Sequence, residues 1–223
     1  MKDCVVVGMI ETNCWIYPLE TEGRPGTCAV IDPGDEAQKI ISRLEKLNLI
    51  PVYILLSHGH YDHMAALPDL LEAFSSGIFS SQPPPKTGIH RLDAQYLGRD
   101  SQKLHKDSFR AAGGDPSYID TLWKDLPEPD ILFDEGDIIG YLKILHIPGH
   151  SPGSAAFYDE EKDVLFSGDT LFRRSWGRTD LPGGNESQLN QSLRRLLSMK
   201  ADITVCPGHG PVTFIKNETG LIA

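Results

Sequence analysis

The sequence has no apolar run approaching the ~20 residues that a membrane-spanning helix requires. Its longest such stretches, Val52 to Leu56 and Cys4 to Ile10, are far shorter, so no membrane segment is expected. Cysteine is sparse: Cys4, Cys14, Cys28 and Cys206 are scattered without a C-x-x-C pair, which argues against both a disulfide framework and a zinc ribbon. Basic residues are in deficit, with 21 Lys and Arg against 31 Asp and Glu and a formal net charge of -10. Such a field repels phosphate backbones, so nucleic-acid binding is not expected. Repeats and low-complexity tails are absent, and the apolar stretch after Met1-Lys2-Asp3 lacks a small-residue cleavage site. The expected location is therefore cytoplasmic.

What is present suits one globular domain over residues 1–223, with 40% hydrophobic and 23% charged residues to build a core and a surface. The pattern predicts strands at Cys4 to Ile10, Cys14 to Tyr17 and Thr27 to Ile31, with a turn through Glu22, Gly23, Pro25 and Gly26. A helix follows Asp35 and Glu36, with Ala37, Ile40, Ile41, Leu44 and Leu47 on one face. Pro51 to Leu56 is unbroken and apolar, the signature of a strand buried on both faces. Met64, Leu67, Leu70, Leu71 and Phe74 then recur at helical spacing. Ser81 to Lys86 reads as irregular, and Arg91 to Leu126 as polar with broken helical patches. Further strands are expected at Leu142 to Ile147, Ser154 to Tyr158, Val164 to Phe166 and Ile203 to Cys206, and Asn185 caps a helix carrying Leu189, Leu193, Leu196 and Leu197.

The chemistry is concentrated in Ser57-His58-Gly59-His60-Tyr61-Asp62-His63, at the end of the buried strand. Three imidazoles and a carboxylate in one strand-to-helix loop can be aimed at one point. His150, Asp169 and His209 recur later in Pro148-Gly149-His150, Ser167-Gly168-Asp169 and Pro207-Gly208-His209, each where a strand gives way to a Gly-containing loop. Imidazole and carboxylate suit zinc, iron or manganese, and no cysteine stands close to the cluster in sequence to suggest a thiolate site. Seven ligands exceed the needs of one tetrahedral metal and match two divalent ions sharing a carboxylate. His90, His105 and His146 lack such company and read as surface or core residues, and Cys206 as a packed thiol. Asp32 is either a turn former or a support for the ligands.

H-x-H-x-D-H, the later P-G-H, G-D-T and P-G-H segments and their order resemble the metallo-β-lactamase superfamily over nearly the whole chain. Thr12-Asn13-Cys14-Trp15, Val30-Ile31-Asp32-Pro33-Gly34, Gly168-Asp169-Thr170-Leu171-Phe172 and the run Gly177 to Asn185 are similar to its small bacterial glyoxalase II-like group. The resemblance implies an α/β fold, an αβ/βα four-layer sandwich of two mixed sheets flanked by helices. It also implies that His58, His60 and His150 hold one metal, Asp62, His63 and His209 the other, and that Asp169 bridges them. Zinc is the expected ion, with iron or manganese as alternatives. The implied activity is hydrolysis of a small acyl-thiol such as S-lactoylglutathione by a metal-bridging hydroxide, with Asp62 orienting it. Arg178, and less distinctively Arg173 and Arg174, are candidates to meet a substrate carboxylate.

Two departures stand out. Met64-Ala65-Ala66 replaces the small residue and glycines usual after the motif, and Pro83 to Pro129 is longer and more helical than the family pattern. The helical C-terminal domain that helps full-length glyoxalase II hold glutathione is not expected here. The competing reading is a persulfide dioxygenase, similar in fold, with one iron on His58, His150 and Asp169. Ester, lactone, β-lactam or phosphodiester hydrolysis would use the same core, and a metal-binding protein without turnover would keep the same ligands.

Overall fold

Strands buried on both faces build this molecule. In the computed structural model, which describes residues 2–19 and 26–221, an antiparallel meander of β1 (Asp3–Val7), β2 (Thr12–Pro18) and β3 (Thr27–Ile31) opens the chain. Helix α1 (Ala37–Leu47) leads to β4 (Ile50–Leu56), parallel to β3, and α2 (Leu67–Ser75) leads to β5 (Lys86–His90), parallel to β4. Helices α3 (Gln102–Ala111) and α4 (Ser117–Leu122) precede β6 (Ile131–Phe133), which completes a mixed sheet in the order β1 to β6. Next come β7 (Ile138–Ile139), β8 (Leu142–His146), β9 (Ala155–Asp159), β10 (Val164–Gly168) and a hairpin of β11 (Leu171–Phe172) and β12 (Ser175–Trp176). Helix α5 (Glu186–Leu197), β13 (Thr204–Pro207), β14 (Thr213–Phe214) and α6 (Ile215–Glu218) follow. The second sheet has the order β14-β13-β10-β9-β8-β7.

Period-two alternation sorts each strand's side chains between layers. Cys14 and Ile16 of β2 pack outward with Ile40 and Leu44 of α1 and Leu67 and Leu70 of α2, while Trp15 and Tyr17 face the second sheet. On β10, Phe166 faces inward and Leu165 packs with Leu189, Leu193 and Leu196 of α5. The inner layer joins Trp15, Tyr17 and Ile31 to Phe133, Ile144, Phe157 and Phe166, all at most 4% exposed. The result is an αβ/βα sandwich. No helix among the described residues is long and apolar enough to cross a membrane.

This topology places four loops at one edge. Strands β8 and β10 both run antiparallel to β9, and β13 runs parallel to β10, so all three end on the same side. His150, Asp169 and His209 follow those ends, and the loop after β4 meets them from the first sheet. Asn13 fastens the sheets together here. Its Nδ2 donates to the carbonyls of Pro207 (3.0 Å) and Gly210 (2.8 Å), and Trp15 Nε1 donates to Pro207 O at 3.0 Å.

Several boundaries differ from the sequence-based expectation. The first strand ends at Val7 rather than Ile10, because the chain turns at Gly8 with a φ of 72°. The second helix begins at Leu67 rather than Met64, because Tyr61–His63 form a 3-10 turn and the residues after it are turn as well. Lys86–His90 and Ile131–Phe133 are strands that the expectation did not include. Gly88 and two polar ends disguise the former, and three residues are too few to show a period in the latter. The expected turn at Glu22, Gly23 and Pro25 lies outside the described residues.

Asn13→Ala removes the side-chain donor to Gly210 O and leaves Pro207 O with Trp15 Nε1 alone. It is expected to lower the unfolding free energy by ~1–3 kcal/mol, read from denaturant midpoints at fixed metal content. An unchanged midpoint would contradict the fastening role.

Candidate metal centre

Four of the ligand histidines, His58, His63, His150 and His209, are aimed by a contact on the far side of the ring. Asp32, in the left-handed region with a φ of 53°, accepts from Ser57 N at 2.7 Å and from Ser57 Oγ at 2.7 Å. With its hydrogen committed to Asp32, Ser57 Oγ accepts from His58 Nδ1 at 3.0 Å. Asp32 Oδ2 also lies 3.0 Å from His63 Nδ1. His150 Nδ1 donates to Arg178 O at 2.8 Å, and His209 Nδ1 donates to Ile10 O at 3.0 Å. Hydrogen bonds at His58, His150 and His209 place hydrogens on their outer nitrogens, and with Asp32 behind His63 they turn four Nε2 atoms inward.

Those inner atoms crowd together. His58 Nε2, His60 Nδ1 and His150 Nε2 form a triangle with edges of 3.0, 2.8 and 3.2 Å. His60 Nδ1 has one hydrogen at most, so hydrogen bonds cannot satisfy all three edges. His63 Nε2 and His209 Nε2 stand 3.3 Å apart, and Asp62 Oδ2 is 3.2 Å from the first and 3.3 Å from the second. Asp169 lies between the trios: Oδ1 is 3.5 Å from His63 Nε2, and Oδ2 is 3.5 Å from His209 Nε2 and 3.7 Å from His150 Nε2. Asp169 Oδ1 is buried with no hydrogen-bond partner. Lone pairs converging on two points, beside a buried and unpaired carboxylate oxygen, fit two cations and little else. Nitrogens ~2.0–2.1 Å from a tetrahedral zinc stand roughly 3.3 Å apart, close to these spacings.

Electrostatics divides the set. Burial, aided by neighbouring imidazoles, holds His58 well below the ordinary histidine range and His60 down to about 3. These are neutral donors at any physiological pH. Burial also disfavours charge on His63 and His209, but Asp62 and Asp169 outweigh it and push both upward. The same histidines overcome the effect of burial on Asp62 and Asp169 and hold both carboxyls below their usual range. A metal entering beside Asp62 therefore displaces protons that His58 and His60 do not carry.

Close backbone approach sets two further requirements. A Cβ on Gly208 would lie 2.1 Å from Asp169 Oδ1, and one on Gly177 would lie 1.8 Å from Asp169 O. Asp93, fully buried, ties two ligand loops together: it accepts from Gly59 N (2.8 Å), Ser151 Oγ (2.6 Å) and Gly153 N (2.7 Å). Burial lifts its carboxyl above the usual range against the pull of those donors. Sequence reasoning missed Asp93, which sits in the unreadable stretch with no motif around it.

The structure brings all seven expected ligands together, and the three metal-competent groups among the described residues draw only on them. A cavity of about 820 Å³ opens over His60, Asp62, His150, Asp169 and His209. Arg178 lines it, yet its guanidinium holds Asp180 through bonds of 2.6 and 2.8 Å. Arg173 and Arg174 do not line it, a correction to the expectation that they meet substrate; Arg174 N instead donates to Glu218 at 2.7 Å. Of the remaining histidines, His90 and His105 are buried, and His90 stacks on His146 at 4.1 Å. Cys206 is packed in the inner layer, as expected.

Residues 10–209 match a family profile described as the metallo-beta-lactamase superfamily. The chain is 38% identical over 196 residues to the hydroxyacylglutathione hydrolase GloC of Haemophilus influenzae, covering 85% of this chain and 83% of that protein. Among solved structures, TTHA1623 in a di-iron-bound form is 34% identical with a TM-score of 0.78, covering 99% and 98% of the two chains. The B3 metallo-beta-lactamase BLEG-1 is 30% identical with a TM-score of 0.77, covering 98% and 96%.

Asp32→Ala removes the acceptor that orients Ser57 and His63 and is expected to weaken metal affinity ~10–100-fold, measured by chelator competition. Gly208→Ala is expected to prevent full metal loading while retaining the far-ultraviolet circular dichroism of the parent. Parental affinity in the first variant, or full loading in the second, would contradict these roles.

Proposed function

The chain belongs to the metallo-β-lactamase superfamily, and from that premise we propose that it is a two-metal hydrolase of small acyl thioesters. The observation that carries this reading is the convergence of seven ligands into two trios joined by Asp169. His58, His60 and His150 would hold one ion, Asp62, His63 and His209 the other, and Asp169 both. Zinc is the default for such nitrogen and oxygen donors, and iron or manganese fits them too. Bound there, divalent ions supply Lewis acidity that polarises an acyl carbonyl and brings the pKa of water toward ~7.

The residues themselves do the positioning. Asp62, held ionised, accepts from Thr12 Oγ1 at 3.3 Å on Oδ2, leaving Oδ1 to accept a hydrogen from the attacking water and fix its direction. Water oxygen joins the acyl carbon, the carbon–sulfur bond breaks, and the electron pair leaves on sulfur. Thiols have a pKa near ~8.5, so the departing thiolate needs no strong acid beside it. Arg178, at the cavity wall, would act through its carbonyl, which orients His150, rather than as a free cation.

The glyoxalase-type name of the relative GloC supports a thioester over a lactam or phosphodiester. The mononuclear dioxygenase reading would employ His58, His150 and Asp169 and leave Asp62, His63 and His209 converged without a role.

Protein purified without chelator is expected to carry close to two metals per chain by elemental analysis and to hydrolyse a thioester panel that includes S-lactoylglutathione. Asp169→Ala should lower metal content and turnover together. One iron per chain, oxygen uptake with glutathione persulfide and no thioester cleavage would favour the dioxygenase instead.

A further inference from the structure

The cavity over the ligand set is poorly suited to a charged thiol carrier. Apart from the metal ligands, two cationic side chains line it, and both already hold carboxylates: Lys124 pairs with Asp69, and Arg178 pairs with Asp180. Asp35 adds a further negative charge to the wall. An anionic substrate such as a glutathione conjugate, with its two carboxylates, would have to displace an existing partner at each cation. Breaking the two-bonded Arg178–Asp180 pair is the harder of these.

Much of the remaining wall is apolar, interrupted by Thr12, Tyr61, His105 and Ser108. Phe109 of α3, Ile119 and Leu122 of α4, and Leu181 face the cavity. At the rim stand Met9 and Ile10, 82% and 61% exposed on the turn between β1 and β2. Tyr118 of α4 reaches across and donates to Met9 Sδ at 3.0 Å, so the turn and the helix meet at the mouth. Large apolar side chains left open beside a cavity of about 820 Å³ mark a place where apolar ligand surface is buried.

We propose that the cavity selects thioesters with an extended, uncharged acyl chain, which runs along Phe109, Ile119, Leu122 and Leu181 and emerges between Met9 and Ile10. The α3–α4 segment is thus the specificity element of the site. This rests on the thioester reading for its chemistry, while the chain-length preference follows from the cavity alone. Each methylene moved from water to such a wall favours binding about fourfold.

The test uses the metal-loaded full chain and two series. The first is N-acetylcysteamine thioesters from acetyl to octanoyl, with S-lactoylglutathione for comparison, read as kcat/KM. The second is uncleavable S-alkyl N-acetylcysteamine thioethers from butyl to octyl, read as affinity by calorimetry. Both series are expected to rise about fourfold per methylene until the cavity is filled, with the longer thioesters exceeding S-lactoylglutathione. Met9→Ser with Ile10→Ser, at exposed positions that do not threaten folding, should flatten both slopes; Leu122→Asp, at a position 42% exposed, should flatten them further. Flat or falling series, or a clear preference for S-lactoylglutathione, would overturn the proposal. Thioether affinity that climbs with chain length while no thioester is cleaved would support the apolar channel and remove the thioester reading.

Discussion

Bare imidazole nitrogens facing one another across 3.2 Å, at His58 and His150, are the constraint on which the rest of the structure depends. Two acceptors at that distance cannot bond, and burying them without a partner is unfavourable. The arrangement persists because the outer nitrogens are fixed first, by Ser57 and by Arg178 O. Asp32 stands behind two of the histidines at once, through Ser57 and directly to His63. Its left-handed backbone is the local strain that such a position requires. A cation between the nitrogens converts this repulsion into coordination, so the protein is organised for metal before the metal arrives.

The fold serves that organisation from a distance. The ends of β4, β8, β10 and β13 deliver the ligands to one edge, and close packing there leaves no room for a Cβ at Gly208 or Gly177. Asn13 and Asp93 act as staples, the first between sheets and the second between the loops of His60 and His150. In the proposed reading, specificity comes mainly from the helices inserted between β5 and β6. Reaction chemistry and substrate choice meet at the mouth, where Ile10 both lines the cavity and, through its carbonyl, orients His209.

What was legible in the sequence follows the same division. His58, His60, Asp62 and His63 declare themselves because four donors share one short loop, and His150, Asp169 and His209 because each follows a strand and a glycine. The inner strands β2, β3, β4 and β10 show continuous apolar runs, which burial on both faces demands. Strand β5 was hidden because K-T-G-I-H carries little apolar pattern, and the α3–α4 segment because its few apolar residues are divided between cavity and core, Phe109 and Leu122 at the first and Leu104 at the second. Asp93 could not be found at all: an isolated aspartate has no periodicity, and its three partners are up to 60 residues away in sequence. Arg178, expected to meet a substrate carboxylate, lines the cavity, but its pairing with Asp180 is a contact that charge counting does not reveal.

The most direct test is anomalous diffraction from crystals of the metal-loaded protein, collected on either side of the metal's absorption edge. The account predicts two peaks, one among His58, His60 and His150 and one among Asp62, His63 and His209, with the Asp169 carboxylate touching both. A single peak, or peaks outside these side chains, would contradict it.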